Sequence, residues 1–181
     1  RNISQKVVDR VGKLISTGSY AMGSQTEAFE KKFAKYCDTK YAVLVTSGTE
    51  ALRLTLNHIG VGPNDEVILP GLGFISNLSI IILCGARPVF ADIDLKTGNL
   101  CPTSVEKNIT RKTKAIISIP YGGAPCENDK LLDILCDKNI TFIEDASHAH
   151  GSEIEGKKIG SFADYTCFSF DQNKLMTCGQ A

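Results

Sequence analysis

No charge of either sign dominates this chain: 20 Lys+Arg stand against 20 Asp+Glu in 181 residues, with no long single-sign run. That balance argues against nucleic acid or anionic membrane as the main partner, since both are held by a positive field. The most apolar run, residues 78–84, falls far short of the ~20 residues that a membrane crossing needs. The start of the chain shows no apolar signal-peptide segment. No CxxC pair and no Cys/His cluster occurs among the seven cysteines, which stand apart as Cys37, Cys84, Cys101, Cys126, Cys136, Cys167 and Cys178. A zinc site is therefore not expected, and an odd number of scattered thiols favours a reducing, cytosolic setting. Neither a GxGxxG fingerprint nor a GK[ST] loop is present, which argues against a dinucleotide-binding Rossmann protein and a P-loop enzyme. No internal repeat and no low-complexity linker divides the chain.

What is present fits one core of ordinary size, with 43% hydrophobic residues. Ile3, Val7, Val11, Leu14 and Ile15 recur at helical spacing and predict an amphipathic helix ending near Gly18. A loop (SYAMGS, residues 19–24) follows, and Thr26 is a candidate cap for a second helix carrying Ala28, Phe29, Phe33 and Tyr36. Short apolar runs at residues 41–45 (YAVLV), 66–69 (EVIL), 88–93 (PVFADI), 114–119 (KAIISI) and 140–143 (ITFI) read as strands. Helical patterns separate them at residues 50–59, 75–84, 103–109 and 131–136. Strand and helix by turns predict an α/β fold, a mostly parallel sheet clad on both faces. Ligands then belong at the carboxyl ends of the strands.

Several of those ends carry chemistry. Residues 46–49 (TSGT) place Ser47, Gly48 and Thr49 between a strand and a helix start, where free N–H groups and the helix dipole attract an anion. A plain capped helix start is an equally good reading. Phe74 projects from the next strand-to-helix loop and suits either core packing or stacking on a planar ligand. Asp92 and Asp94 offer ribose or metal contacts, although solvated turn caps are commoner. Asp145 closes an apolar strand, a costly place for an acid unless a cation or strong donors meet it. His148 and His150 follow it, without a third metal ligand. Residues 163–179 (ADYTCFSFDQNKLMTCG) run from a buried strand through Ser169 into a polar loop, with Lys174 on it and Gly179 beyond. Desolvation there would leave a nucleophilic amine. On position alone Lys174 reads as a solvated lysine. The partners upstream favour the reactive amine instead, because together they meet the needs of pyridoxal phosphate.

The motifs SGTEAL, DEVILP, GARPVFADID, TKAIISIPYGG, IEDASHAHGS and CFSFDQNK resemble, in the same order, the DegT/DnrJ/EryC1/StrS sugar aminotransferases of the aspartate-aminotransferase fold type. The resemblance covers residues from about 23 to the end. It implies a three-layer α/β/α large domain over residues 23–181 after an N-terminal helical segment, residues 1–22. It also implies pyridoxal 5'-phosphate as cofactor, with Lys174 as the Schiff-base lysine and acid–base and Asp145 facing the pyridine nitrogen. Ser47, Gly48, Thr49 and Ser169 would hold the phosphate, Phe74 would stack on the ring, and His148 would sit beside the phenolic oxygen. The substrates implied are a nucleotide-linked keto-sugar, with a UDP-linked 4-keto-deoxysugar the nearest wording, and an amino donor, by family habit glutamate. Relatives work as homodimers and carry a smaller C-terminal domain that this sequence lacks, so little or no turnover is expected of these 181 residues alone. Two rival readings stay open: a silent scaffold that keeps the fold, and a related pyridoxal enzyme acting on an amino acid.

Overall fold

Five parallel strands in the order β2–β1–β3–β4–β7 make the backbone of the molecule. The computed structural model describes residues 3–18 and 22–178. In chain order these are helices α1 (Gln5–Ser16), α2 (Ser24–Tyr36) and α3 (Gly48–His58), then β1 (Glu66–Pro70), α4 (Ile75–Leu83), β2 (Arg87–Ala91), α5 (Pro102–Asn108), β3 (Thr113–Ser118), α6 (Asn128–Leu135) and β4 (Thr141–Asp145). A two-stranded antiparallel hairpin, β5 (Glu153–Ile154) and β6 (Lys157–Lys158), precedes β7 (Tyr165–Cys167). Residues 19–21 of the expected SYAMGS loop, and Gly179 beyond Lys174, lie outside the described residues.

Strands that are apolar throughout need cover on both faces, and the pleat divides their side chains between two cores. Val67, Leu69, Ala115, Ile117, Ile143 and Cys167 pack with Leu52 and Leu56 of α3 and Ile80 and Ile81 of α4. Their neighbours Ile68, Ile116 and Phe142 face the other way, onto Val105 of α5 and Leu131 and Leu135 of α6. Each fully buried Ile, Leu or Phe in these layers contributes roughly 1.5–3 kcal/mol. The result is the expected three-layer α/β/α arrangement. The same alternation splits the acids at the end of β4: Asp145 goes to the α4 side, where Asn77 meets it, and Glu144 to the α6 side, where Asn128 meets it.

Three local expectations give way. Residues 41–45 form no ladder among the described residues. The Leu44 N–H donates instead to Glu30 of α2 at 2.8 Å, and a groove of about 550 Å³, lined by Tyr41, Val43 and Val45 on one side and Tyr165, Thr166 and Cys167 on the other, separates the segment from β7. Helix α2 is entered from Gly23 rather than Thr26. Helix α3 starts at Gly48, two residues before its apolar periodicity begins, because Ser47 caps it by accepting from the Glu50 N–H at 3.1 Å. Helix α1 forms as its spacing predicts, yet buries none of its residues and leaves Ile3, Val7, Val11 and Ile15 exposed. Among the described residues no helix is long and apolar enough to cross a membrane.

Candidate active site

At the carboxyl end of the sheet, β4 and β7 lie side by side, with Asp145 and Cys167 in register. The Asp145 carboxylate is 4% exposed. Its Oδ2 accepts from Asn77 Nδ2 at 2.7 Å, and its Oδ1 accepts from the Ser147 hydroxyl at 2.6 Å and the Ser147 N–H at 3.2 Å. Donors rather than a cation therefore meet the buried charge. The local turn cap and the wider anchoring both occur, one on each oxygen. Asn77 reaches further: its Nδ2 also lies 3.4 Å from the Phe74 carbonyl, and its N–H donates to that carbonyl at 3.2 Å. One side chain thus ties Asp145 to the entry of α4, where Phe74 is the cap residue and keeps 63% of its surface open.

The helix start that follows residue 47 comes against β7's exit. A Cβ on Gly48 would stand 2.9 Å from the Ser169 Cβ and 3.3 Å from the Phe168 carbonyl oxygen. No side chain fits there, so glycine is what lets the first turn of α3 close on Ser169. Ser47, Gly48, Thr49 and Ser169 are brought to one place by this contact. Ser47 uses its hydroxyl as the helix cap, Gly48 and Ser169 are buried, and Thr49 is exposed. The unpaired donors of a helix's first turn, together with its dipole, suit an anion.

Past Ser169 the chain turns at Asp171, whose carbonyl accepts from the Lys174 N–H at 2.9 Å. The Cys178 N–H returns to the Phe170 carbonyl at 3.1 Å, which closes residues 170–178 into a loop on the end of β7. Lys174 is half-buried on it. His148 is half-buried too, and its ring meets Tyr121 edge-on, centroids 6.1 Å apart, at the end of β3.

Burial sets the protonation of the surrounding groups. It pushes the Cys167 thiol up to about 12, with the Thr55 hydroxyl opposing and the Asp145 charge adding. Across the sheet it pushes Glu144 up to about 7, against the Asn128 amide and the Gly160 backbone, which favour the ionised form. His150 is held below its usual value, first by burial and then by the charge of Lys174. Asp94 is a surface turn cap: N–H groups of Lys96 and Thr97 bind its carboxylate and hold it below the ordinary range. Among the described residues, no group of three His, Cys, Asp or Glu side chains is placed to hold a metal ion.

Sequence reasoning missed Asn77 and Ser147. Asn77 leaves little signal, since Ser76 and Ser79 make it one of three polar residues in the helix ISNLSIIIL.

A parallel sheet that gathers its polar groups at the carboxyl ends of its strands is the frame of a ligand-handling α/β protein. The model of the DegT/DnrJ/EryC1/StrS aminotransferase family matches residues 1–181, and the chain belongs to that family. The GDP-perosamine synthase of Caulobacter vibrioides is 43% identical over 152 residues, covering 84% of this chain and 41% of its own length. An aminotransferase from Psychrobacter cryohalolentis superposes with a TM-score of 0.95 at 35% identity, over 99% of this chain and 46% of its own. A Streptococcus pneumoniae protein, named a sugar aminotransferase and solved in its PLP form, gives 0.92 at 32% identity, over 97% of this chain and 49% of its own. The chain spans about half the length of the curated relatives it matches.

Proposed function

We propose that the chain is the cofactor-binding part of an aminotransferase that uses pyridoxal 5'-phosphate to pass an amino group from an amino acid, glutamate first among them, to a nucleotide-linked keto-sugar. The observation that carries this reading is Asp145, buried at a strand's carboxyl end and held by Asn77 beside the place where Gly48 closes on Ser169. The residues fit the group. A helix start without a side chain at Gly48 suits a phosphate, and a carboxylate stabilised by donors suits a protonated ring nitrogen. Bound there, the cofactor supplies an electron sink for moving an amino group. Asp145 would favour a proton on the ring nitrogen, Ser47, Gly48, Thr49 and Ser169 would bind the phosphate, and Phe74 would stack on the ring. His148 would sit beside the phenolic oxygen. The Lys174 amine would hold the cofactor and supply the group that moves a proton.

The relative from Caulobacter supports a sugar substrate through the amino sugar in its name. The uncovered apolar face of α1 supports a homodimer, and the seven free thiols support a cytosolic setting. To test the reading, the chain is incubated with pyridoxal phosphate, reduced with borohydride and mapped by mass spectrometry. A label on Lys174 is expected; a label elsewhere, or none, would overturn the assignment. Equilibrium binding of GDP-, dTDP- and UDP-linked keto-sugars to the cofactor-loaded chain, run against plain keto acids, then assigns the acceptor class.

A further inference from the structure

His150 has no role in the chemistry proposed for the site, and its surroundings are unusual. Its ring lies between two strand exits. It sits on the loop that leaves β4, and its neighbours are Phe168 and Phe170 on the segment that leaves β7, with ring centroids 5.4 Å and 5.2 Å away. Phe33 of α2 packs edge-on against the same two rings at 5.0 Å and 5.4 Å. A groove of about 500 Å³ opens beside them, lined by Lys32 and Tyr36 of α2 and by Leu175 and Met176, the residues after Lys174.

Both ring nitrogens are buried and complete no hydrogen bond in good geometry among the described residues. A buried donor or acceptor left unpaired costs on the order of 1–3 kcal/mol, and a charged ring there would cost more. The charged and titratable groups around the ring are Lys174 on the β7 side and His148 on its own loop, with Lys32 and Tyr36 of α2 lining the groove that His150 shares. Lys174 disfavours a proton on the ring, the hydrogen-bonding backbone of Ser169 favours one, and His148 adds a smaller opposing effect. The imidazole thus behaves as a flat apolar wedge with a lysine close by.

We propose that His150 is a positioning residue: an imidazole wedged between the loop after β4 and the segment after β7, fixing where the Lys174 amine stands relative to Asp145. The claim rests on the reading of Lys174 as the amine that carries the cofactor. A wedge of this kind acts through shape, so a ring of similar size should replace it. A small residue should let the 170–178 loop drift, and a shift of about 1 Å in a reacting group is enough to cost as much as 100-fold.

Two readouts test the proposal, and they fail separately. In the first, pyridoxal phosphate binding is followed by absorbance, with borohydride labelling of Lys174 as the check. His150→Ala should weaken binding about tenfold, and His150→Phe should recover it to within about threefold of the original chain. In the second, which needs no cofactor, the His150 ring is titrated by NMR in the original chain and in Lys174→Met. Loss of the neighbouring charge should raise its midpoint by at least about 0.3 pH unit. An unchanged midpoint, or His150→Ala binding as tightly as the original chain, overturns the proposal. An original chain that takes no label on Lys174 overturns the cofactor reading instead, and the titration still decides whether His150 and Lys174 are coupled.

Discussion

Glu144 is fully buried, accepts from Asn128 at 3.1 Å, and leaves its Oε2 without a well-placed partner among the described residues. Burial raises its carboxyl from 4.5 to about 7. Below the unfolded value both states hold the proton, and the group is neutral towards folding. As pH climbs from 4.5 to about 7 the unfolded chain releases its proton while the folded chain keeps it, so stability falls. The difference of about 2.5 units corresponds to roughly 3 kcal/mol, fully lost only above about pH 7. About 2 kcal/mol of that falls between roughly pH 5.5 and 8. Glu144→Gln keeps an acceptor for Asn128 and cannot ionise. Chemical denaturation of the full chain and of this variant, near pH 5.5 and near pH 8, isolates the group because every other titration is common to both. The variant should gain on the parent by about 2 kcal/mol more at the higher pH than at the lower. Parallel profiles would show that the folded carboxyl ionises normally, and that its burial is relieved by some other group.

Gly48→Ala puts a methyl 2.9 Å from the Ser169 Cβ and 3.3 Å from a backbone oxygen. It should cost about 1–3 kcal/mol in denaturation, and it should weaken pyridoxal phosphate binding more than tenfold, the scale of about 1.4 kcal/mol. Asn77→Ala removes a donor from the buried Asp145 carboxylate. A loss of about 1.5–3 kcal/mol is expected by the same assay, and a loss below about 0.5 kcal/mol would show that the 2.7 Å bond contributes little. A thiol reagent near neutral pH should label exposed Cys136 first, together with Cys101, whose thiol is lowered by hydrogen bonds from Thr103 and Ser104. Cys37, raised by burial to about 11, and Cys126 and Cys167, each raised to about 12, should react only on unfolding. Prompt reaction at Cys167 would contradict the packing of β7 against α3.

Much of the fold was legible because its strands are buried on both faces and therefore read as unbroken apolar runs with helical patterns between them. Residues 41–45 look like such a run and are not a strand, since a ladder needs a neighbour within hydrogen-bonding distance and propensity says nothing about neighbours. The start of α3 was hidden for a similar reason: Gly48 and Thr49 carry no apolar periodicity, and the Ser47 cap alone brings them into the helix. At the site, Asp145 stood out because an acid at the end of ITFI demands an explanation. Its partners did not, since Asn77 is distant in sequence and Ser147 looks like an ordinary loop residue. Lys174 and Ser169 were legible only in the company of Gly48, which the fold supplies through one close contact.

The alternation along β4 makes the chain unforgiving of length changes. Asp145 and Glu144 are adjacent in sequence, yet they occupy opposite sides of the sheet, one facing Asn77 and the other Asn128. If a single-residue insertion before Thr141 let β4 slide by one place, glutamate would point where aspartate now does, and Phe142 and Ile143 would exchange their layers. The connection from α6 into β4 should therefore accept substitutions far more readily than insertions or deletions.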